Sequence, residues 1–285
     1  MKNITCALIA LILISALFSC SGGGKGEETL PPVKVIGVNE NEKVTSTLVR
    51  DGFSMNIYVT YSEITGYSGS EKSITLPENA AGVPVRKIAE NAFKNSGNLE
   101  KVVFSKGIRI IDRFAFDGCG SLREVVLNEG LETIGDYAFR NTAAAKCDLP
   151  GTVVSLGKYC FYGADLREVV LPDSLSSAGK YCFYANKNLA SVTFGRRLTE
   201  ISENMFYNCE SLVVTELPEQ IKKIDSYAFR GCVSLERLVV PRGTTSIGDG
   251  AFYGCTGLTL VGWEGSTLAK YARDNALKCE LRPVE

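Results

Sequence analysis

The hexapeptide Gly-Lys-Tyr-Cys-Phe-Tyr occurs twice, from Gly157 and from Gly179, placing Cys160 and Cys182 in matched surroundings 22 residues apart. Such a pair can be reactive, bind a soft metal or close a disulfide. Reactivity and metal binding need company that this chain lacks. It contains no histidine, which removes the commonest general base and the imidazole ligand. It has no CxxC pair, no GxSxG elbow and no cysteine–histidine pairing. The stretch GGGKG at 22–26 lacks both the preceding strand and the Ser or Thr that a phosphate loop requires. Spacing does not exclude a surface carboxylate pair, but no enzyme activity, cofactor or metal is expected. Lys and Arg (31) nearly balance Asp and Glu (32), so no electrostatic footprint for nucleic acid is present.

The two hexapeptides belong to a longer repetition. Ala-Phe, Cys-Phe or Met-Phe recurs with its ring at Phe93, Phe116, Phe139, Phe161, Phe183, Phe206, Phe229 and Phe252, every 22 or 23 residues. A fixed period of this length means a solenoid whose units bury their apolar stripes on one another. Within a unit, Ile111, Ala115, Cys119 and Leu122 step by four, four and three, as on one face of a short helical segment. Leu122, Val125 and Leu127 then form an LxxVxL strand, repeated at Leu166, Val169 and Leu171. Each unit is thus expected to supply one short strand and a helical or irregular return. Cys160 and Cys182 fill the slot before the phenylalanine that Ala fills in five other units. Cys119, Cys209, Cys232 and Cys255 fill a second slot three residues after it. The preferred reading is a small buried hydrophobe; disulfides remain possible between stacked columns.

The full pattern, IxxIxxxAFxxCxxLxxVxLP, is similar to the BspA-type leucine-rich repeat of bacterial surface proteins. The resemblance covers Ile74 to Trp263. It implies a β-rich leucine-rich repeat solenoid (α/β) with a curved parallel sheet. Two strands depart from it: the third unit reads NTAAAKCDLP, and the eighth carries Gly262 and Trp263. Both are expected to be weaker. On this reading residues 53–83 form an N-terminal cap with the first strand, 84–266 the eight repeats, and 267–285 a closing helix and tail with Ser266 as N-cap.

Upstream, Lys2 precedes the apolar run ITCALIALILISALFSC, the layout of an export signal over residues 1–19. Leu17-Phe18-Ser19-Cys20 resembles the lipobox of bacterial lipoproteins, which implies a lipid on Cys20 and a tether over 20–52. An ordinary secreted chain with a chance cysteine is the alternative. With the lipid, the protein is expected in the bacterial envelope, at the outer membrane or cell surface, touching the membrane through its anchor only.

Function then falls to surfaces. Strand residues facing the concave side form one row through Lys101, Glu124, Lys146 and Glu168 and an adjacent row with Val103, Val126, Val170 and Val239. The first reads as a cross-strand charge ladder; the second is either a contact strip or plain strand propensity. Eight of twelve tyrosines fall two before or one after the core phenylalanines, densest at Tyr159, Tyr162, Tyr181 and Tyr184. They either shield the core or offer an aromatic platform. The family resemblance implies adhesion or recognition of an extracellular protein or glycan by a monomer. The alternative is an envelope-assembly component that binds another bacterial surface molecule. If the phenylalanine column is the core, Phe161→Ala should destabilise by about 3–5 kcal/mol in a reversible melt; a change below about 1 kcal/mol would contradict it.

Overall fold

Two strands, not one, come from each repeat except the sixth, whose leucine-side segment makes only the bridge of Glu216 to Val239. In a computed structural model, which describes Asn39 and residues 41–284, the LxxVxL segments pair in parallel and in register. Ser73–Thr75, Lys101–Val103, Glu124–Val126 and Lys146–Cys147 form one such ladder. A second ladder was not anticipated. It begins at Val83–Ile88 and continues through Ile110–Ile111, Thr133–Ile134, Ser155–Leu156 and Ser177–Ala178. Glu200–Ile201, Lys223–Ile224 and Ser246–Ile247 extend the same register in a separate sheet. The solenoid therefore has the expected leucine-rich repeat architecture, with parallel sheets and almost no helix.

Of the two forms expected for the return, the irregular one is found. Phe114 and Gly118 have φ of 57° and 73°, and the equivalent residues of every other repeat are left-handed too. A left-handed residue ends a right-handed helix within a turn, so Ile111, Ala115, Cys119 and Leu122 share a buried side without forming a helix. The amides alternate instead. Those of Phe114, Phe116 and Gly118 donate to carbonyls of the next coil, at Asp136, Ala138 and Arg140 (2.8–2.9 Å). Those of Ala115, Asp117 and Cys119 donate three residues back within the coil, to Asp112, Phe114 and Phe116. The return is thereby a third hydrogen-bonded layer, and its backbone is satisfied although it is buried.

The core phenylalanines stack in one column. Their centroids are 4.7–5.7 Å apart from Phe93 to Phe252, nearly parallel, and every ring is at most 1% exposed. Beside them the second cysteine slot is more than a small hydrophobe. The thiols of Cys119, Cys209, Cys232 and Cys255 donate to the carbonyls of Phe93, Phe183, Phe206 and Phe229 in the preceding coil (3.0–3.2 Å). Asn186 takes that slot in the fifth repeat. Its amide donates to the carbonyls of Phe161 and Phe183, and its oxygen accepts from the Leu166 amide. Cys160 and Cys182 are fully buried free thiols.

The departures in the strands resolve differently. In the third repeat the strand shrinks to two residues, and its sheet ends there. In the eighth the expectation is corrected: Thr259–Trp263 is five residues long, between Arg237–Val239 and Cys279–Arg282. Gly262 permits this, because a Cβ there would lie 2.6 Å from Leu268 Cδ2 of the closing helix. That helix, Thr267–Asp274, starts at Ser266, whose Oγ accepts from the Ala269 amide (3.2 Å), and sets Tyr271 edge-on to Phe252. At the other end Phe53 and Tyr67 close over Phe93. They lie on an antiparallel meander of Ser46–Arg50, Phe53–Ile57 and Ser62–Tyr67. Its first strand falls within the stretch read as tether; residues 1–38, with the signal and Cys20, lie outside the described residues.

The buried thiols carry a pH signature. Burial pushes Cys119, Cys147 and Cys209 up from 9.0 to about 12 and Cys255 to about 11. For Cys160, burial and then the neighbouring Cys182 thiol act in the same direction. Above pH 9 the unfolded chain releases thiol protons that the folded chain retains. Stability is therefore full below that pH and falls as the pH rises toward about 12. The urea midpoint should drop over this range, and the slope should flatten when Cys119, Cys209 and Cys255 are all changed to Ser. Identical slopes would contradict the thiol linkage.

Candidate functional site

On the face of the leucine ladder the charged row is paired. Lys101 Nζ lies 2.6 Å from Glu124, and Lys146 Nζ lies 3.3 Å from Asp148 and 3.8 Å from Glu168. These groups are largely exposed, so each pair contributes only about 0.2–1 kcal/mol and serves mainly to fix register. The valine row divides. Val126 and Val170 are 41% and 58% exposed, whereas Val103 is half-buried and Val239 is 6% exposed. Val239 therefore offers no surface. The 23-residue period would place Gly262 beside it, but the last strand slips by one residue and pairs Val239 with Val261, itself 1% exposed. A one-residue slip exchanges the faces of a strand. In the sixth repeat Glu216 holds the place beside Val239, and Thr215 stands where LxxVxL has its buried valine, with Val214 turned inward instead.

The tyrosines form two stacks along the return. Phe114, Tyr137, Tyr159 and Tyr181 make one, with centroids 4.4–4.8 Å apart and planes within 11°. Tyr162, Tyr184 and Tyr207 make the other, at 5.0 and 4.7 Å. Tyr159 packs against Tyr162 and Tyr181 against Tyr184, which joins the stacks laterally. Burial first, and neighbouring phenols second, raise Tyr159 and Tyr184, so both keep neutral hydroxyls. The ring faces are spent on one another, and what remains for a ligand is mostly edges.

Sequence reasoning found the tyrosines but missed the charges that share their slots. At the N-terminal end the slot after the core phenylalanine holds Lys94, Asp117 and Arg140 in successive coils. Asp117, 2% exposed, accepts from Arg140 Nε and Nη2 at 2.7 and 2.9 Å and lies 3.7 Å from Lys94 Nζ. The guanidinium also lies 5.0 Å from the Tyr137 centroid. Near the C-terminal end the same slot carries Arg230, between Tyr207 and Tyr253. The signal that could have found these residues was the column itself, read for charge as well as for rings. Among the described residues no group of histidine, cysteine, aspartate or glutamate could hold a metal. No helix among them is long and apolar enough to cross a membrane.

A family model, described as BspA type leucine-rich repeat region, matches residues 86–212 and 154–272 with six copies. No curated protein matches the chain. Among solved structures the chain is similar to a leucine-rich repeat protein from Bacteroides ovatus, with 21% identity and a TM-score of 0.67. That match covers 81% of this chain and 66% of the other, slightly under two thirds of its length. A leucine-rich repeat protein of T. pallidum is 26% identical with a TM-score of 0.61, over 84% of this chain and all of the other. A leucine-rich repeat protein from Eubacterium ventriosum is 19% identical with a TM-score of 0.51, over 84% and 73%. These likenesses concern the fold.

The Lys94–Asp117–Arg140 cluster makes a direct prediction. Removing a buried carboxylate strands its cations, so Asp117→Ala should destabilise by about 3 kcal/mol in urea denaturation. Arg140→Lys, which keeps the charge but loses the fork, should fall between that variant and the parent.

Proposed function

The chain belongs to the BspA-type leucine-rich repeat family, and from that premise we propose that it is a recognition or adhesion protein whose leucine-ladder face binds an extracellular protein. Leucine-rich repeat proteins typically serve as protein-binding or surface-recognition scaffolds and are generally not enzymes, and the lack of histidine agrees with that. The observation that carries the assignment is the exposure of Val126 and Val170 on a strand face where the other two valines of the row, Val103 and Val239, are half-buried and buried. Both stand beside the paired charges of Lys101, Glu124, Lys146 and Glu168. Asp148, exposed and paired with Lys146, stands between the two valines in the row, so the face carries two apolar spots among charges, which suits a protein contact with valines giving up water and the charges setting orientation. The tyrosine stacks are assigned to shielding the core, since their faces are turned on one another. A lipid on Cys20 would hold this face at the envelope, and the proposal places the protein there by that anchor alone.

The test is binding to an array of matrix proteins and glycans, run beside a double variant carrying Val126→Glu and Val170→Glu. A saturable protein partner whose binding falls at least about tenfold in the double variant is the expected result. Partners that bind the variant unchanged would remove the ladder face from consideration. Partners confined to other molecules of the bacterial envelope would replace adhesion with envelope assembly.

A further inference from the structure

The leucine ladder ends on a strand with one edge unused. Cys279–Arg282 pairs in parallel with Thr259–Trp263 and is the last member of its sheet, so among the described residues no strand pairs with its other edge. The phase of the hydrogen bonds fixes what that edge presents. The carbonyls of Lys278 and Arg282 accept from the amides of Leu260 and Glu264 (2.9 and 3.0 Å). Bonds alternate along a parallel ladder, so Glu280 and Arg282 turn their backbone groups to the neighbouring strand. Cys279 and Leu281 turn an N–H and a C=O each to the open side. The side chains alternate as well. Leu281 stands beside Gly262 and is 46% exposed. Glu280 and Arg282 share the opposite face. Glu280 accepts from Arg237 Nη2 at 3.2 Å, and the Arg282 guanidinium lies 5.4 Å from the Trp263 centroid. An edge of this kind is a template for another strand.

The charges say which strand. An antiparallel copy of the edge can be placed with its two-fold axis on either interior residue, Glu280 or Leu281. An axis between the two would set open backbone groups against groups already bonded. With the axis at Glu280, that carboxylate meets its own copy and Arg282 meets Lys278, like charge against like. With the axis at Leu281, the two Leu281 residues exchange both N–H···O bonds and cover one another's side chains. Glu280 then stands directly opposite Arg282 of the second copy, and the symmetry makes this pair twice. We propose that a second copy of the chain occupies this edge, with the two-fold axis at Leu281, joining the last three strands of each ladder into one sheet. A strand from an unrelated protein would satisfy the backbone, but nothing would require it to carry the reciprocal charges. The self-match is what favours an isologous pair. The dimer replaces the monomer expected from the family resemblance. It goes beyond the ladder-face assignment, adding a second copy of that face to each particle.

Sedimentation velocity of the full chain tests it, with a reductant present so that thiols do not cross-link. A reversible monomer–dimer equilibrium is expected over roughly 1–100 µM, the range of a small interface. Glu280→Arg sets two cations against each other at both charge pairs, and Arg282→Glu sets two anions. Each variant alone should dimerise at least about tenfold more weakly than the parent. Mixed in equal amounts they should pair with each other, since each supplies the charges the other lacks. Leu281→Pro removes the N–H groups at the axis, which bond to nothing within the chain. It should abolish the dimer while the melting temperature stays near that of the parent, which separates a lost edge from unfolding. The Val126→Glu, Val170→Glu double variant should dimerise like the parent, so that failure of the ladder-face assignment is read separately. A chain that stays monomeric throughout, or a dimer that survives Leu281→Pro, would overturn the proposal. Charge variants that dimerise like the parent, or that fail to recombine when mixed, would overturn it too.

Discussion

The in-register stacking of one coil on the next is the constraint from which the other features follow. Adjacent strands lie about 4.8 Å apart, and the phenylalanine column spaces its rings at 4.7–5.7 Å. At that separation each residue lies against its counterpart one repeat away, so a slot in the repeat becomes a column in space. Apolar columns close the core, and the slot after the phenylalanine tolerates only residues that can stack or pair with themselves. Glycine appears where even a methyl group fails: a Cβ at Gly157 would lie 2.4 Å from the Asp136 amide nitrogen.

Stacking also dictates how polar groups enter the interior. Every coil turns twice through left-handed residues, which leaves phenylalanine carbonyls near the slot three residues on. Cysteine, asparagine and, within its own coil, threonine at Thr142 are the short donors found reaching them. A thiol combines the volume of a small hydrophobe with one weak donor. That accounts for a cysteine-rich interior without metal chemistry. The cysteines of the paired hexapeptides, Cys160 and Cys182, fill the other slot, where alanine stands in five repeats, and are buried there as small residues of the core.

Departures from the column rule locate the surfaces with something left to offer. The Lys94–Asp117–Arg140 cluster closes on itself, while Arg230, in an equivalent slot, has only rings around it. Val126 and Val170 remain open, whereas Val239 of the same row is buried beside the slipped last strand. In a solenoid, function is found where one repeat differs from its neighbours, because the shared residues are already committed to holding the coils together.

The sequence by itself determined the period, the phenylalanine and leucine columns and the two cysteine slots, because burial against identical neighbours demands the same side chain at every turn. The second strand ladder left little trace, since strands of two residues are too short to alternate. The left-handed corners were legible in principle, at Asn95, Gly118, Asn141 and Gly163 and their equivalents. Asparagine and glycine tolerate positive φ, yet their column is obscured by aromatic residues at the first corner of five of the eight coils. Only the tertiary structure decided which valines are exposed and which arginine is paired. Those outcomes depend on the register of one coil against the next: a one-residue slip of the last strand sets Val261, not Gly262, beside Val239, and both are buried.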